Sequence, residues 1–423
     1  MADQAASSLS NILVAVIVAR SFDSPEPFAA FGVAMVAYQL MLSGIRSVTG
    51  EPFLSLYSPA GPTQRRRLQA DLCGTVLFIS VLCSLVVLAV SAVIGGLSGS
   101  ALQALAFVFP LVVLQDAWRY VFIIDRPYAA LAIDLIWLVA AIVALHAMPA
   151  GARVGSFVLV WGLSGGLGGV IGIGLGWGLP LRLHPWRWLI DHWVISARYL
   201  GDFVTARAVS ELAINALTAI SGLAAFGAVR ATQIFYGPIN TLHGAVSLAV
   251  VPEGARSRDR PEHIRRLCVA VAIGTIALGI VATIAGVLLP DRIGEAAFGP
   301  TWDRAEGLLL PMGLAMIPGA LVSAAVVGMQ SLADSKRRLA AQLQAAPGQL
   351  ICPLAGAFIN GAVGFVIGLA VGRVISATLW TRMLRRALAD ANAAVEARNN
   401  GSGDLSVDQV ALAAASVDRA VLA

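Results

Sequence analysis

The chain of 423 residues is 58% hydrophobic and only 13% charged. A soluble domain carries about one-quarter charged residues, so a water-soluble globular fold is excluded. The 29 Lys+Arg against 24 Asp+Glu leave a net charge of +5, with Lys336 the one lysine; that excess is too small and too dispersed for a nucleic-acid-binding face.

The first apolar stretch, Ala5 to Ala19, has nothing basic before it and Arg20 after it. A cleaved signal peptide needs the reverse order, so a retained membrane span is expected. A crossing takes about 20 apolar residues. Further spans are predicted at Ala29 to Gly44, Gly74 to Val93, Leu102 to Ile123, Ala129 to Ala147, Val154 to Leu179, Val204 to Ala224, Ile234 to Val251, Val269 to Leu289 and Gly307 to Val327. The last apolar block, Leu343 to Leu379, would make a helix of roughly 55 Å, too long for one crossing. Asn360 and Gly361 supply turn residues in its middle, and splitting there gives twelve spans, the eleventh interrupted by Pro353.

The cations follow this map. With both termini in the cytoplasm, Arg46, Arg65, Arg66, Arg67, Arg119, Arg126, Arg182, Arg187 and Arg198 fall on the inner side of the first half. Arg256, Arg258, Arg260, Arg265, Arg266, Lys336, Arg337, Arg338, Arg382, Arg385 and Arg386 do so in the second. Only Arg20, Arg153, Arg230, Arg292 and Arg304 fall outside, a bias that matches the positive-inside rule. The expected setting is the cell inner (cytoplasmic) membrane, crossed many times with both termini cytoplasmic.

Twelve spans divide into two six-helix lobes, 1–182 and 204–387. Because six is even, any repeat between them is parallel. Gly44, Ser47 and Pro52 recur as Gly244, Ser247 and Pro252 at one constant offset. Between the lobes, 183–203 places Trp186, Ile190 and Trp193 at helical spacing and reads either as an interfacial linker helix or as an aromatic belt at a span end. Residues 388–423 form a polar cytoplasmic tail.

Charged side chains inside spans usually pair or face a water-filled cavity. Arg46, Asp116, Arg119, Asp134, Arg207, Glu211 and Arg373 all map toward the cytoplasmic ends of their helices. Asp116/Arg119 and Arg207/Glu211 each share a helix face. Two readings stand: ion pairs that tie helix ends together, or a slightly positive vestibule for an anionic head group, where Arg46, Arg119, Arg207 and Arg373 bind and Asp116, Asp134 and Glu211 orient them.

The glycines of the sixth span, from Gly162 to Gly178, indicate close helix packing, since a phosphate-cradling loop needs a preceding strand. Pro110, Pro238, Pro311, Pro318 and Pro353 inside spans mark kinks or hinges. Cys73, Cys83, Cys268 and Cys352 have no paired spacing and read as small core residues. His146, His184, His192, His243 and His263 are scattered, and no Walker, HExxH or GxSxG motif occurs. No cofactor, metal site or enzymatic activity is expected.

Four passages carry a family resemblance. They are Asp3, Gln4, Ser7, Ser8 and Asn11 with Ala19, Arg20, Phe28 to Gly32, Glu51 and Pro52; Leu114 to Asp116, Arg119 and Tyr120 with Arg126, Ala129 to Leu131, Asp134 and Trp137; Arg230, Gln233, Gly237, Pro238, Asn240 and Pro252; and Phe298, Gly299, Pro300 and Trp302. Together they resemble bacterial polysaccharide and O-antigen flippase-like proteins of the multidrug/oligosaccharidyl-lipid/polysaccharide exporter superfamily. The resemblance implies an all-α membrane protein with two six-helix lobes around a central cavity and alternating access. It also implies flipping of a lipid-linked oligosaccharide, carried on polyprenyl diphosphate, for surface polysaccharide biosynthesis, with H+ or Na+ as coupling ion and polysaccharide-assembly membrane proteins as partners. The alternatives are a cation-coupled multidrug exporter of the same superfamily, whose chemistry favours acids deep in the cavity, and a membrane glycosyltransferase or polymerase. The latter would carry catalytic side chains on a large outer loop, whereas the longest one here, Pro290 to Glu306, is short.

Overall fold

The computed structural model describes residues 13–14, 17–22, 25–149, 151–175, 186–298 and 302–401. Among them the chain is helical and contains no strand. The helices are α1 (Pro25–Val48), α2 (Gly50–Tyr57), α3 (Pro62–Ile94), α4 (Gly96–Asp125), α5 (Pro127–His146), α6 (Val154–Leu175), α7 (Arg187–Phe235), α8 (Gly237–Arg256), α9 (Pro261–Val287), α10 (Asp291–Phe298), α11 (Trp302–Ser331) and α12 (Ser335–Gly401). Nine of the described helices are long and apolar enough to cross a membrane. α8 has transmembrane length and α12 holds two crossings. With the first span, most of which lies outside the described residues, this is an all-α membrane architecture of about twelve spans. Large apolar side chains such as Val36, Phe107, Val143 and Ile273 point outward, as lipid contact requires.

Two helices are hairpins, and both turn at glycine. In α12 the turn is at Asn360 and Gly361, where Gly361 takes φ +50, at the pair expected from the sequence. The arms then approach so closely that a Cβ on Gly372 would lie 2.7 Å from the Gly348 carbonyl oxygen, and one on Gly368 would lie 2.8 Å from the Pro353 Cα. In α7 the turn is at Gly222, with φ +83 and ψ 171, a conformation open to glycine and strained for other residues. Glu211 and Arg230 pair at 3.1 Å, whereas a straight helix would separate them by roughly 28 Å. This corrects one placement: Arg230 lies on the returning arm, not in an outer loop, because the chain reverses at Gly222 rather than beyond it. The first arm begins by Arg187, so the described part of the stretch expected as a linker runs without a break into the seventh span.

The chain divides into two compact units, Met1–Ala197 and Arg198–Ala423. In the first, α4 is the buried axis and packs against α1, α3, α5 and α6. Lipid tails are as apolar as leucine, so helices associate in a membrane through close packing of small residues. α6 supplies these. A Cβ at Gly165 would sit 3.0 Å from Trp137, at Gly168 3.0 Å from Ile133, at Gly169 3.2 Å from the Leu111 carbonyl, and at Gly172 2.6 Å from Trp118. The glycine-rich span is therefore a packing face against α4 and α5. Gly176 and Gly178 lie outside the described residues.

In the second unit α11 is the corresponding axis, packed against α8, α9 and α12. The fourth span of each half is thus the buried one, packed on the span before it and on spans after it, as a parallel repeat requires. Each axis contains a proline, Pro110 in α4 and Pro311 in α11. Two apolar clusters fill this unit, one around Leu217, Tyr236, Trp302, Met312 and Phe365, the other around Cys268, Ala325, Met329 and Trp380.

Close packing at α6 makes its glycines unequal. Gly172→Leu should destabilise the first unit by about 1–3 kcal/mol, the usual cost of overpacking. Gly174→Leu, where a Cβ meets open space, should leave the thermal midpoint of the purified protein in detergent unchanged.

Candidate functional site

The span-embedded charges separate into three groups with different environments. In the first unit, the last turn of α1 brings Arg46 against α4. Its Nε donates to Asp116 Oδ2 at 2.8 Å and its Nη2 to Oδ1 at 2.5 Å, a two-pronged pair. Arg119, one turn further along α4, lies 3.9 Å from Asp116 and 3.6 Å from Asp134 on α5. Gln115 Nε2 donates to Asp134 Oδ1 at 2.5 Å, and the Arg46 guanidinium sits 6.0 Å above the Tyr120 ring. Asp116, Arg119 and Asp134 are all buried. Asp116 and Asp134 thus pair with the two arginines, and the void beside Arg46 and Asp116 is about 10 Å³, room for little more than one water. In this conformation the network ties α1, α4 and α5 together and leaves no space for a phosphate group.

The second group lies on the two arms of α7. Glu211 pairs with Arg207 at 3.0 Å and with Arg230 at 3.1 Å, and Arg230 also donates to Gln233 Oε1 at 3.2 Å. Arg207 is half exposed, at 51% of its side chain, so solvent screens this group strongly. Arg230 escaped detection as a partner of Glu211 because the pairing exists only once the helix reverses at Gly222; that glycine between two apolar runs was the available signal.

The third group is a cavity of about 280 Å³ within the second unit, enclosed by α7, α9, α11 and both arms of α12. Its polar lining consists of Ser210, Gln233, Thr275, Ser323, Gln349, Arg373 and Ser376, with Met316, Phe365 and Leu369 among its apolar walls. Among the described residues no carboxylate lines it. Arg373 projects from the second arm of α12, about 18 Å along the helix from the turn, which puts it nearer mid-span than the cytoplasmic end expected. Its Nη1 donates to the Ala315 carbonyl oxygen at 3.1 Å. That oxygen lies one turn before Gly319 on α11, whose backbone N–H is its partner along the helix, so the arginine adds a second donor to it. Gly319 leaves Arg373 room: a Cβ there would meet the guanidinium at 3.7 Å. Beside it Gln349 Nε2 donates to Ser376 Oγ at 3.0 Å, and Gln342 Nε2 donates to Gln349 Oε1 at 3.3 Å. Among the described residues Arg373 makes no ion pair. A guanidinium with spare donors, in a cavity without an anion of its own, can receive a carboxylate, phosphate or sulfate.

No family model matches the sequence, and no curated protein does. The fold has counterparts among solved structures. A MATE protein in complex with MaD3S superposes with a TM-score of 0.74 at 13% identity, over 93% of this chain and 94% of that one. A multidrug resistance MATE family transporter of the MOP superfamily, in an outward-facing conformation, gives 0.71 at 14% identity, over 93% and 94%. A Vibrio cholerae MATE transporter gives 0.71 at 13%, over 92% and 95%. The protein is thus a multi-pass membrane protein of about twelve helices. Its fold is the one these MATE structures share.

The three groups predict different costs. Asp116→Ala leaves the buried Arg119 and the half-buried Arg46 short of their shared acceptor and should cost about 3–5 kcal/mol; Arg207→Ala removes a screened pair and should cost under about 1 kcal/mol. Thermal unfolding of the purified variants in lipid nanodiscs measures both.

Proposed function

We propose that the protein is an alternating-access exporter of amphiphilic organic molecules, and that the cavity around Arg373 receives an anionic group of the cargo. The observation that carries the second part is a guanidinium that makes no ion pair among the described residues, in a cavity whose described lining combines apolar walls with neutral polar side chains and no carboxylate. The cargo that suits it is a lipid-linked oligosaccharide on a polyprenyl diphosphate: Arg373 meets the charged group, and Ser210, Gln233, Ser323 and Gln349 offer neutral hydrogen bonds of the kind sugar hydroxyls use. Arg46 and Arg119 contribute to binding only in a conformation that opens their network, and Arg207 lies at the exposed pair with Glu211.

The second reading is export of small drug-like molecules, and the solved structures favour it, because the shared fold is that of MATE proteins, one of them a multidrug resistance transporter. On fold likeness it is supported at least as well as oligosaccharide flipping. The two readings part in a deletion strain. Flipping predicts accumulated lipid-linked sugar and lost surface polymer; drug export predicts unchanged sugar pools and raised sensitivity to cationic compounds.

Arg373→Gln should lower transport of an anionic cargo in proteoliposomes about 10–100-fold, equivalent to losing one charge-assisted hydrogen bond. Arg373→Lys should recover part of it. Unchanged transport by a correctly inserted Arg373→Gln protein would refute the anion site.

A further inference from the structure

At the end of the second unit away from the Asn360–Gly361 turn, α9 and the second arm of α12 meet across α11. A Cβ on Gly328 of α11 would lie 2.5 Å from Leu384 Cδ1 and 2.8 Å from Cys268 Sγ. Ile264 and Cys268 on α9 and Trp380, Leu384 and Leu388 on α12 belong to one buried cluster, which fixes the inward face of both helices. At about 100° per residue, the opposite face of α9 carries Arg266, and that of α12 carries Arg382, Arg385 and Arg386. All four are exposed. The same outward faces continue as apolar stripes. Val269 and Ile273 lie about one and two turns beyond Arg266, and Val374 and Val371 about two and three turns before Arg382, and all are exposed. A lipid-facing stripe that ends in arginine sets the guanidinium groups at head-group level.

Other arginines near this end have acids of their own. Arg265 pairs with Glu262 at 2.8 Å, Arg256 with Glu253 at 3.8 Å, and Arg337 with Asp334 at 2.9 Å and also with Asp390. Glu262 stands one turn from Arg266, and Asp390 one turn from Arg386, the spacing at which each would form a pair along its helix. Both acids are turned to other arginines instead. Among the described residues the side chains of Arg266, Arg382, Arg385 and Arg386 make no ion pair or hydrogen bond. Arg382 also lies one turn from both Arg385 and Arg386, where like charges repel.

We infer that this face binds the head group of an anionic phospholipid from the adjoining leaflet, which is the cytoplasmic one on the arginine bias. The lipid phosphate sits on Arg382, Arg385 and Arg386, with Arg266 at the same level, and an acyl chain follows Val374 and Val371. A guanidinium fork matches phosphate geometry, and the anion supplies the counter-charge that the protein withholds. A zwitterionic head group brings its own cation and supplies none. This site is separate from the cavity: Arg373 is on the same arm of α12, but it faces inward beside Ser376, on the side of Trp380 and Leu384. The inference rests on membrane residence and stands whatever the cargo.

The test uses full-length protein in phosphatidylcholine nanodiscs. Phosphatidylglycerol and phosphatidylcholine analogues, each with a photoactivatable group near the phosphate, are added at the same trace fraction, and adducts are mapped by peptide mass spectrometry. Phosphatidylglycerol should label residues 378–389 well above phosphatidylcholine. An arginine near an anionic head group is worth about fivefold in binding, so the triple variant Arg382→Gln, Arg385→Gln, Arg386→Gln should weaken phosphatidylglycerol labelling about 100-fold. The corresponding triple lysine variant should keep most of it. Arg187→Gln removes an exposed arginine that has its own acid, Asp191, and should leave labelling within about twofold. If the triple variant fails to insert, each single glutamine variant should show the step of about fivefold. Equal labelling by the two lipids, or a loss in Arg187→Gln as large as in the arginine-face variants, would overturn the proposal. Displacement by excess inorganic phosphate as effective as that by unlabelled phosphatidylglycerol would refute a lipid occupant in favour of a soluble anion.

Discussion

In a bilayer every backbone amide must find its partner within the protein, and lipid offers helices no hydrophobic reason to associate. The first condition makes this chain helical from end to end of its described spans. The second means that association depends on contacts only small or polar residues can make. α6 and α12 meet it with glycines that bring backbone against side chain or backbone against backbone, and α4 and α11 meet it by packing on several neighbouring helices at once. Many bulky apolar residues, which a soluble protein would bury, are here sent outward to the lipid, while others fill the clusters within each unit.

The same constraint sorts the charges. An arginine inside a membrane-spanning unit is tolerated when its donors are satisfied or when it faces water. Arg46 and Arg119 take the first course, each held by aspartates supplied from neighbouring helices, and they fasten three helices as a result. Arg373 takes the second: it keeps one backbone acceptor and points its remaining donors into a cavity. Arg207 and Arg230 share one glutamate on the arms of α7, an exposed group in which one positive charge is left over to solvent. Four arginines that looked equivalent in one dimension are therefore three chemically distinct things.

Much of the architecture was legible in advance because hydropathy acts over a single helix. The spans from Ala29 through Val327 fall within the observed helices or close to them, and the Asn360–Gly361 break was readable because two turn-forming residues interrupt a run too long for one crossing. Where the reading slipped, at Arg230 and at the start of the seventh span, a single glycine in an apolar run gave no length anomaly to reveal a reversal. Of the site, the residue types were legible and their partners were not. Asp116 and Arg119 share a turn of helix, but Arg46 is 70 residues away from Asp116.

By itself the sequence determined membrane residence, helical class, the number and approximate limits of the spans and the residues too polar to be there by accident, because each follows from composition within one helix length. Only the tertiary structure decided which of those residues neutralise each other, which one opens onto a cavity, and which arginines lack an acid because Glu262 and Asp390 turn to others. Those outcomes depend on which helix faces meet, and helix faces meet where small residues allow close approach, a property of pairs of helices that no single stretch of sequence contains.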